Sequence, residues 1–446
     1  MPPFPPDDGC QPPHDDDDSD DDDSGDDDSG DDDNTSTGSW SSGVCGYGTA
    51  IYLLDSGTLN ETNGTYEASS TDESAICVTG SSAKLTLNDP DINTSGDSSS
   101  QGNSSFYGLN AAVLNYDGGK LTIDSGTIET TGTGANAVYA YGTGTVNISD
   151  TKIVTSNDGG HGLFAAGGGT MTIKDVNATT SGAHSSVVGT DRGHGTIKVK
   201  GGSYTASGER SAGIFSTGTI SASNATFSAS NAEVVVIDGG NVVALKNVTL
   251  NAKSSLSEHR GVFLFQSMPG DPEDSKCGVG ACFTMTGGTF NYTDSSNSSS
   301  EATENCAAFA VANQTAYIEL NDVEMNNSCP TLLLSAQNSN WDYKGGTVTL
   351  KATGETLTGD IIVDDVSSAD ITLESSGSNA AKLIGAINTD NTASSVTLTL
   401  DDDSQWVVTG TSYLTSLTNE DSNNSNITCK TSRCKVYVDG VEIDIK

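Results

Sequence analysis

Basic residues are scarce. Nineteen Lys and Arg stand against sixty Asp and Glu, a formal net charge of -41 over 446 residues. Such a field repels phosphate backbones and anionic bilayers, so nucleic acid and anionic membranes are not expected as partners. Apolar residues are also few, at 34%. They cannot build one large globular core, but a thin continuous core needs only a few inward side chains per repeat. No apolar run reaches the roughly eighteen residues that a transmembrane helix requires. No CxxC pair occurs and there are only 5 His, which argues against a zinc site. The opening MPPFPPDDGC lacks a basic n-region and an apolar h-region, so it does not read as a signal peptide. P-loop, GxSxG, HExxH and EF-hand patterns are missing as well.

Acid is what the chain has in excess, and it is unevenly placed. Residues 1–40 hold sixteen Asp and no Lys, Arg or Glu, leaving 44 acids and 19 bases beyond them. Like charges at this density keep a chain extended and solvated. Residues 1–43 are therefore expected to form a disordered poly-Asp tail. Within it Asp15, Asp16, Asp17, Asp18, Asp20, Asp21, Asp22 and Asp23 are the candidate metal ligands, because clustered carboxylates are hard oxygen donors for calcium or a mineral surface. No other cofactor is expected.

The nine cysteines suggest an oxidising compartment. Cys277 with Cys282 and Cys429 with Cys434 read as local clips. Cys306 and Cys329 lie about one repeat apart, and Cys45 and Cys77 stand in a similar relation, which leaves Cys10 free. About fifteen N-x-S/T sequons occur, among them Asn60, Asn147, Asn177, Asn224, Asn247, Asn291 and Asn313. Disulfide candidates together with sequons point to a secreted or cell-surface protein.

From about residue 44 a repeat takes over. A short alternating strand is followed by a Gly/Asn/Asp turn, a second alternating strand, a polar turn and a third, more apolar strand. First strands read KLTID (120–124), TVNIS (145–149), TMTIK (170–174), TIKVK (196–200) and TISAS (219–223), with later copies to VTLTL (396–400). Third strands read NAVYA (136–140), HGLFA (161–165), SSVVG (185–189) and AGIFS (212–216). Spacing is about 22–26 residues in the regular middle. Period-2 alternation sends Leu121 and Ile123, Val146 and Ile148, Met171 and Ile173, and Ile197 and Val199 into one narrow core. Gly and Asn supply left-handed turn conformations. The expected fold is all-β, a solenoid of about eleven coils over 44–445, with 396–445 as its closing segment. Trp406, Val408, Tyr413, Leu414 and Leu417 are expected to cap the last coil. Insertions near 89–106, 266–281 and 291–305 are expected to be protruding loops.

This pattern resembles the right-handed parallel β-helix superfamily, whose members include pectate-lyase-like enzymes and adhesin-like surface proteins. The resemblance spans roughly 45–445 and implies architecture much more than chemistry. Polygalacturonase-like members carry N-x-D, D-D, G-H-G and R-x-K in that order. Here GHG occurs around His161 and His194, but Asn388-Thr389-Asp390 lies far beyond both, and both His are read as turn residues. A lyase-like site would draw on Asp191, Arg192, Glu209, Arg210 and His194, and a calcium turn on Asn157 and Asp158 or on Asp401 to Asp403. An ice-binding face would need an unbroken outward Thr rank. Thr122, Thr172 and Thr349 fit it, and Asn147, Lys198 and Ala222 interrupt it. The resemblance to adhesin-like members implies a non-catalytic rod that binds an extracellular glycan, a cell wall or another surface protein. Tyr139, Tyr204 and Tyr343 would stack on sugars where exposed, and otherwise pack in the core or along a ladder. A polysaccharide lyase or glycoside hydrolase is the alternative.

Overall fold

The computed structural model describes residues 36–254, 260–267, 277–278, 280–294, 306–337, 344–431 and 433–446. Short strands stack coil on coil into parallel ladders, the arrangement of a β-solenoid. One sheet holds thirteen strands, from Ser41–Cys45 to Asp360–Val363, and contains the third strands of the repeat. A second holds twenty-two and combines the first and second strands. Four- and three-stranded sheets complete the C-terminal region. No described helix is long and apolar enough to cross a membrane.

Register is what makes the thin core continuous. Leu59, Leu85, Leu121, Val146, Met171, Ile197, Ile220 and Val243 pair in succession along the first-strand ladder. From Leu85 onward these residues are essentially inaccessible to water. Each such side chain contributes roughly 1.5–3 kcal/mol by burial. On the third-strand ladder Ile76, Val113, Val138, Leu163, Val188, Ile214 and Val235 form a matching inward column. Every inward pair named from the sequence lies in this interior.

The bend between first and second strands repeats at one backbone position. Asp89, Asp150, Asp175, Asn224, Asn247 and Asp322 there have φ between 50° and 52°. Glycine takes the same corner at Gly201 and Gly287. Asp and Asn are the non-glycine residues that tolerate this left-handed geometry best. The corner amide of Asp150 donates to the Lys174 carbonyl of the next coil (3.0 Å), and that of Asn224 to Lys246 (3.0 Å).

The ends are sealed differently. At the start, Trp40 packs edge-on against Tyr52 and Tyr66, at 5.6 and 5.9 Å. Ser41–Cys45 pairs antiparallel with Gly48–Leu54. At the other end Trp406 lies within the stack, with Leu383 on one side and Ile427 on the other. Its indole Nε1 donates to the Gly385 carbonyl (3.0 Å). The final edge is made by Val436–Val438, which pairs antiparallel with Val441–Ile443. Such turn-back strands cover backbone groups that would otherwise invite edge pairing.

Four disulfides join Cys45 to Cys77, Cys277 to Cys282, Cys306 to Cys329 and Cys429 to Cys434. The insertion expected at 89–106 is shorter than its composition suggests. Asp91–Thr94 is a regular second strand, paired with Thr65–Ala68 and Thr127–Thr130. Gln101–Tyr107 is a helix, capped by the Ser100 side chain at one end and a left-handed Gly108 at the other. It packs on the outer face of the third-strand sheet, where Tyr139 donates to the Ser105 carbonyl. Much of the 266–281 and 291–305 insertions lies outside the described residues.

Candidate functional site

The first-strand face carries an unusual charge distribution. Its seven strands from Lys84–Asn88 to the start of Val242–Ser254 present Lys84, Lys120, Lys174, Lys198, Lys200 and Lys246 but only one acid, Asp124. Four of these lysines belong to nearby coils. Lys174 pairs directly with Lys200, Lys200 with Ser223, and Ser223 with Lys246. Lys198 stands in the next outward rank, between Thr172 and Ser221. With coils about 4.8 Å apart, the quartet spans on the order of 15 Å along the stack.

The surface between them is concave. A depression of about 580 Å³ is lined by Lys174, Lys198, Lys200 and Lys246, and its floor includes Ser221 and Ala244. Small side chains at those two positions leave the floor low while the lysine stems stand up around it. Lys198, Lys200 and Lys246 make no ion pair with any described residue. Lys174 has an exposed neighbour, Asp175, at 3.9 Å. In water such a pair is weak, so it leaves the lysine available. No carboxylate lines the depression. Its chemistry is that of an anion site, because ammonium groups donate hydrogen bonds to carboxylate, sulfate or phosphate oxygens.

The sequence did not single out this face, although the signal was present. Lys recurs at the fifth position of TMTIK, TIKVK and VVALK, and at the third of TIKVK. The other candidates are dispersed. Asp191 is buried and accepts from the Ser105 hydroxyl (2.5 Å) and its own neighbour's amide, Arg192 N (2.8 Å). The Arg192 guanidinium lies over the Phe106 ring at 4.2 Å. Both residues thus hold the short helix against the stack. Glu209 and Arg210 face each other at 3.7 Å on the surface. Asp158 accepts from the Ala183 amide (2.8 Å), and Asp401 from those of Ser375 and Ser404 (2.6 and 2.7 Å). These carboxylates stabilise turns. Among the described residues no group of three or more His, Cys, Asp or Glu is arranged to hold a metal ion. Asp15 to Asp23 lie outside the described residues.

Three expectations need correction. His194 is an exposed turn residue with φ 64°, but His161 is not in a turn. It is buried, stacks on Phe164 at 4.0 Å, and accepts from the Ser186 amide through Nδ1 (3.1 Å). Burial, with neighbouring His184 adding to it, lowers its pKa to about 3, so the ring is neutral. Tyr139 and Tyr204 cannot stack on a sugar, because both are fully buried. Tyr204 instead stacks on Phe227 at 4.8 Å. Tyr343 lies outside the described residues. The outward Thr rank also differs in register. Ala222 points inward opposite Val199 and Leu245, and Thr349 belongs to the rank of Tyr317 and Asp370, not that of Thr122 and Thr172.

Of the sequon residues, Asn60, Asn147, Asn177, Asn224 and Asn247 are exposed. Asn291 is half-buried in an asparagine ladder. It donates to Asn251 Oδ1 (2.9 Å) and accepts from Asn326 Nδ2 (2.9 Å). Asn313 donates to the Gln266 carbonyl (2.7 Å).

No protein-family model, curated protein or solved structure matches this chain.

Proposed function

We propose that this protein is a non-catalytic, secreted or cell-surface member of the right-handed parallel β-helix superfamily that binds an anionic extracellular glycan on its first-strand face. One observation carries the reading: four lysines surround a concave floor on a chain of formal net charge -41. Nucleic acid and anionic membrane fit poorly, since their dense charge would also meet the corner carboxylates Asp150 and Asp175. A glycan with separated carboxylates or sulfates matches a small group of lysines on a rigid ladder. Four disulfides support an extracellular setting. A glycoside hydrolase would need two carboxyl groups flanking the bond to be cut, and the depression offers none.

The test is titration of the full chain with oligogalacturonate, a sulfated oligosaccharide and a neutral oligosaccharide at low salt. The anionic probes are expected to bind, and the doubly substituted Lys198→Glu/Lys200→Glu protein to bind about tenfold more weakly, because two attractive charges become repulsive. Equal binding of the neutral probe, or unchanged affinity in the variant, would refute the site. Time-dependent cleavage of any probe would refute the non-catalytic reading.

A further inference from the structure

We propose that the poly-Asp segment of this same chain, residues 15–33, docks on the lysine face and competes there with the external ligand. The inference rests on the anion-binding reading of that face. Its basis is where the chain enters the fold. The Thr58 amide donates to the Ser36 carbonyl (3.0 Å), and Gly38 donates to Thr58 (2.9 Å). Thr58 belongs to the first-strand ladder, in register with Lys84, Lys120, Thr145, Thr170 and Thr196. The acidic segment therefore joins the fold at one end of the ladder that bears the lysines.

Length permits the contact. Five coil steps separate the level of Thr37 from that of Thr170, and two steps beyond Thr196 bring the ladder to Val242. At about 4.8 Å per step, Lys174 lies roughly 24 Å along the stack from the entry point and Lys246 about 38 Å. An extended chain covers those distances with about seven and eleven residues. The Asp run begins four residues before Thr37, at Asp33, and continues back to Asp15. It can lie over the whole depression with residues to spare.

Charge supplies the direction. Beyond residue 40 the acids outnumber the bases by 25, so most of the surface repels the segment. Lys174, Lys198, Lys200 and Lys246 form an exception within reach. Covalent attachment raises the effective concentration of the segment at the face to the millimolar range, so a weak intrinsic affinity suffices. An external polyanion must then displace it.

The experiment uses the full chain at dilute concentration with a zero-length carbodiimide, which joins Lys amines to carboxylates in contact, followed by peptide mass spectrometry. Links from residues 15–33 to Lys174, Lys198, Lys200 or Lys246 in species of monomer mass are expected, and excess oligogalacturonate should suppress them. In parallel, a full-length variant with Asn replacing every Asp in 15–33 should bind oligogalacturonate several-fold more tightly than the parent. Links confined to dimer-mass species, links spread evenly over all lysines, or no links at all would overturn the docking. So would equal affinity of parent and variant. If neither protein binds the probe while the specific links form, the docking stands and the glycan reading fails. If both bind equally and no links form, the reverse holds.

Discussion

Glu355 predicts how stability varies with pH. This residue lies between Gly346–Thr353 and Thr356–Thr358 and is only 4% exposed. Its carbonyl accepts from the Lys382 amide (2.8 Å), which ties it to the next coil. Burial raises the carboxyl from 4.5 to about 7; the Thr353, Val323 and Asp322 amides nearby offset this only in part, since neither carboxyl oxygen makes a full hydrogen bond. The folded chain then holds a proton that the unfolded chain releases at lower pH. Stability is therefore highest below the unfolded value of 4.5 and falls as pH rises to about 7. The full interval corresponds to roughly 3 kcal/mol, an upper figure because relaxation and water entry reduce it. Glu355→Gln keeps the shape and removes the titration. Urea unfolding can be followed by tryptophan fluorescence, since Trp406 pairs with Leu383 and Leu383 with Leu357, beside Glu355. Going from about pH 5 to about pH 8, the parent should lose on the order of 2–3 kcal/mol relative to the variant. Parallel pH profiles for the two proteins would show that the Glu355 carboxyl ionises as it does in water, and the argument from burial would fail.

Other outcomes follow from packing and from the corners. Phe227→Ala removes a fully buried ring stacked between Tyr204 and Leu250, so a loss of about 3–5 kcal/mol is expected in chemical denaturation. A loss below about 1 kcal/mol would mean that the stack collapses freely around the gap. At the Asn224 corner, Ala should cost about 1 kcal/mol and Gly close to nothing, because φ is 52° there. Equal thermal midpoints for the two variants would contradict the left-handed geometry.

Several features were readable directly because they depend on local chemistry. Alternation in KLTID, TVNIS and TMTIK names its inward side chains without reference to any neighbour, and these residues line the interior. Asp150 and Asn224 occur where the backbone must turn left-handed, and few other residues do this cheaply. The cysteine pairings followed from short spacing, or from spacing close to one coil. Reasoning failed where the partner was distant. Whether Tyr139 is exposed or packed is decided only when the helix Gln101–Tyr107 covers it, and His161 reads as a turn residue until Phe164 and Ser186 enclose it.

By itself the sequence determined the alternating strands, the identity of the corners and the excess of acid, because each is set by a residue and its immediate neighbours. Tertiary structure alone decided which side chains share a rank. Lys174, Lys200 and Lys246 are far apart along the chain, and one residue of register shift would send each to the opposite side of the sheet. Their convergence on one floor arises from hydrogen-bonded pairing between successive coils, which holds that register over the whole stack.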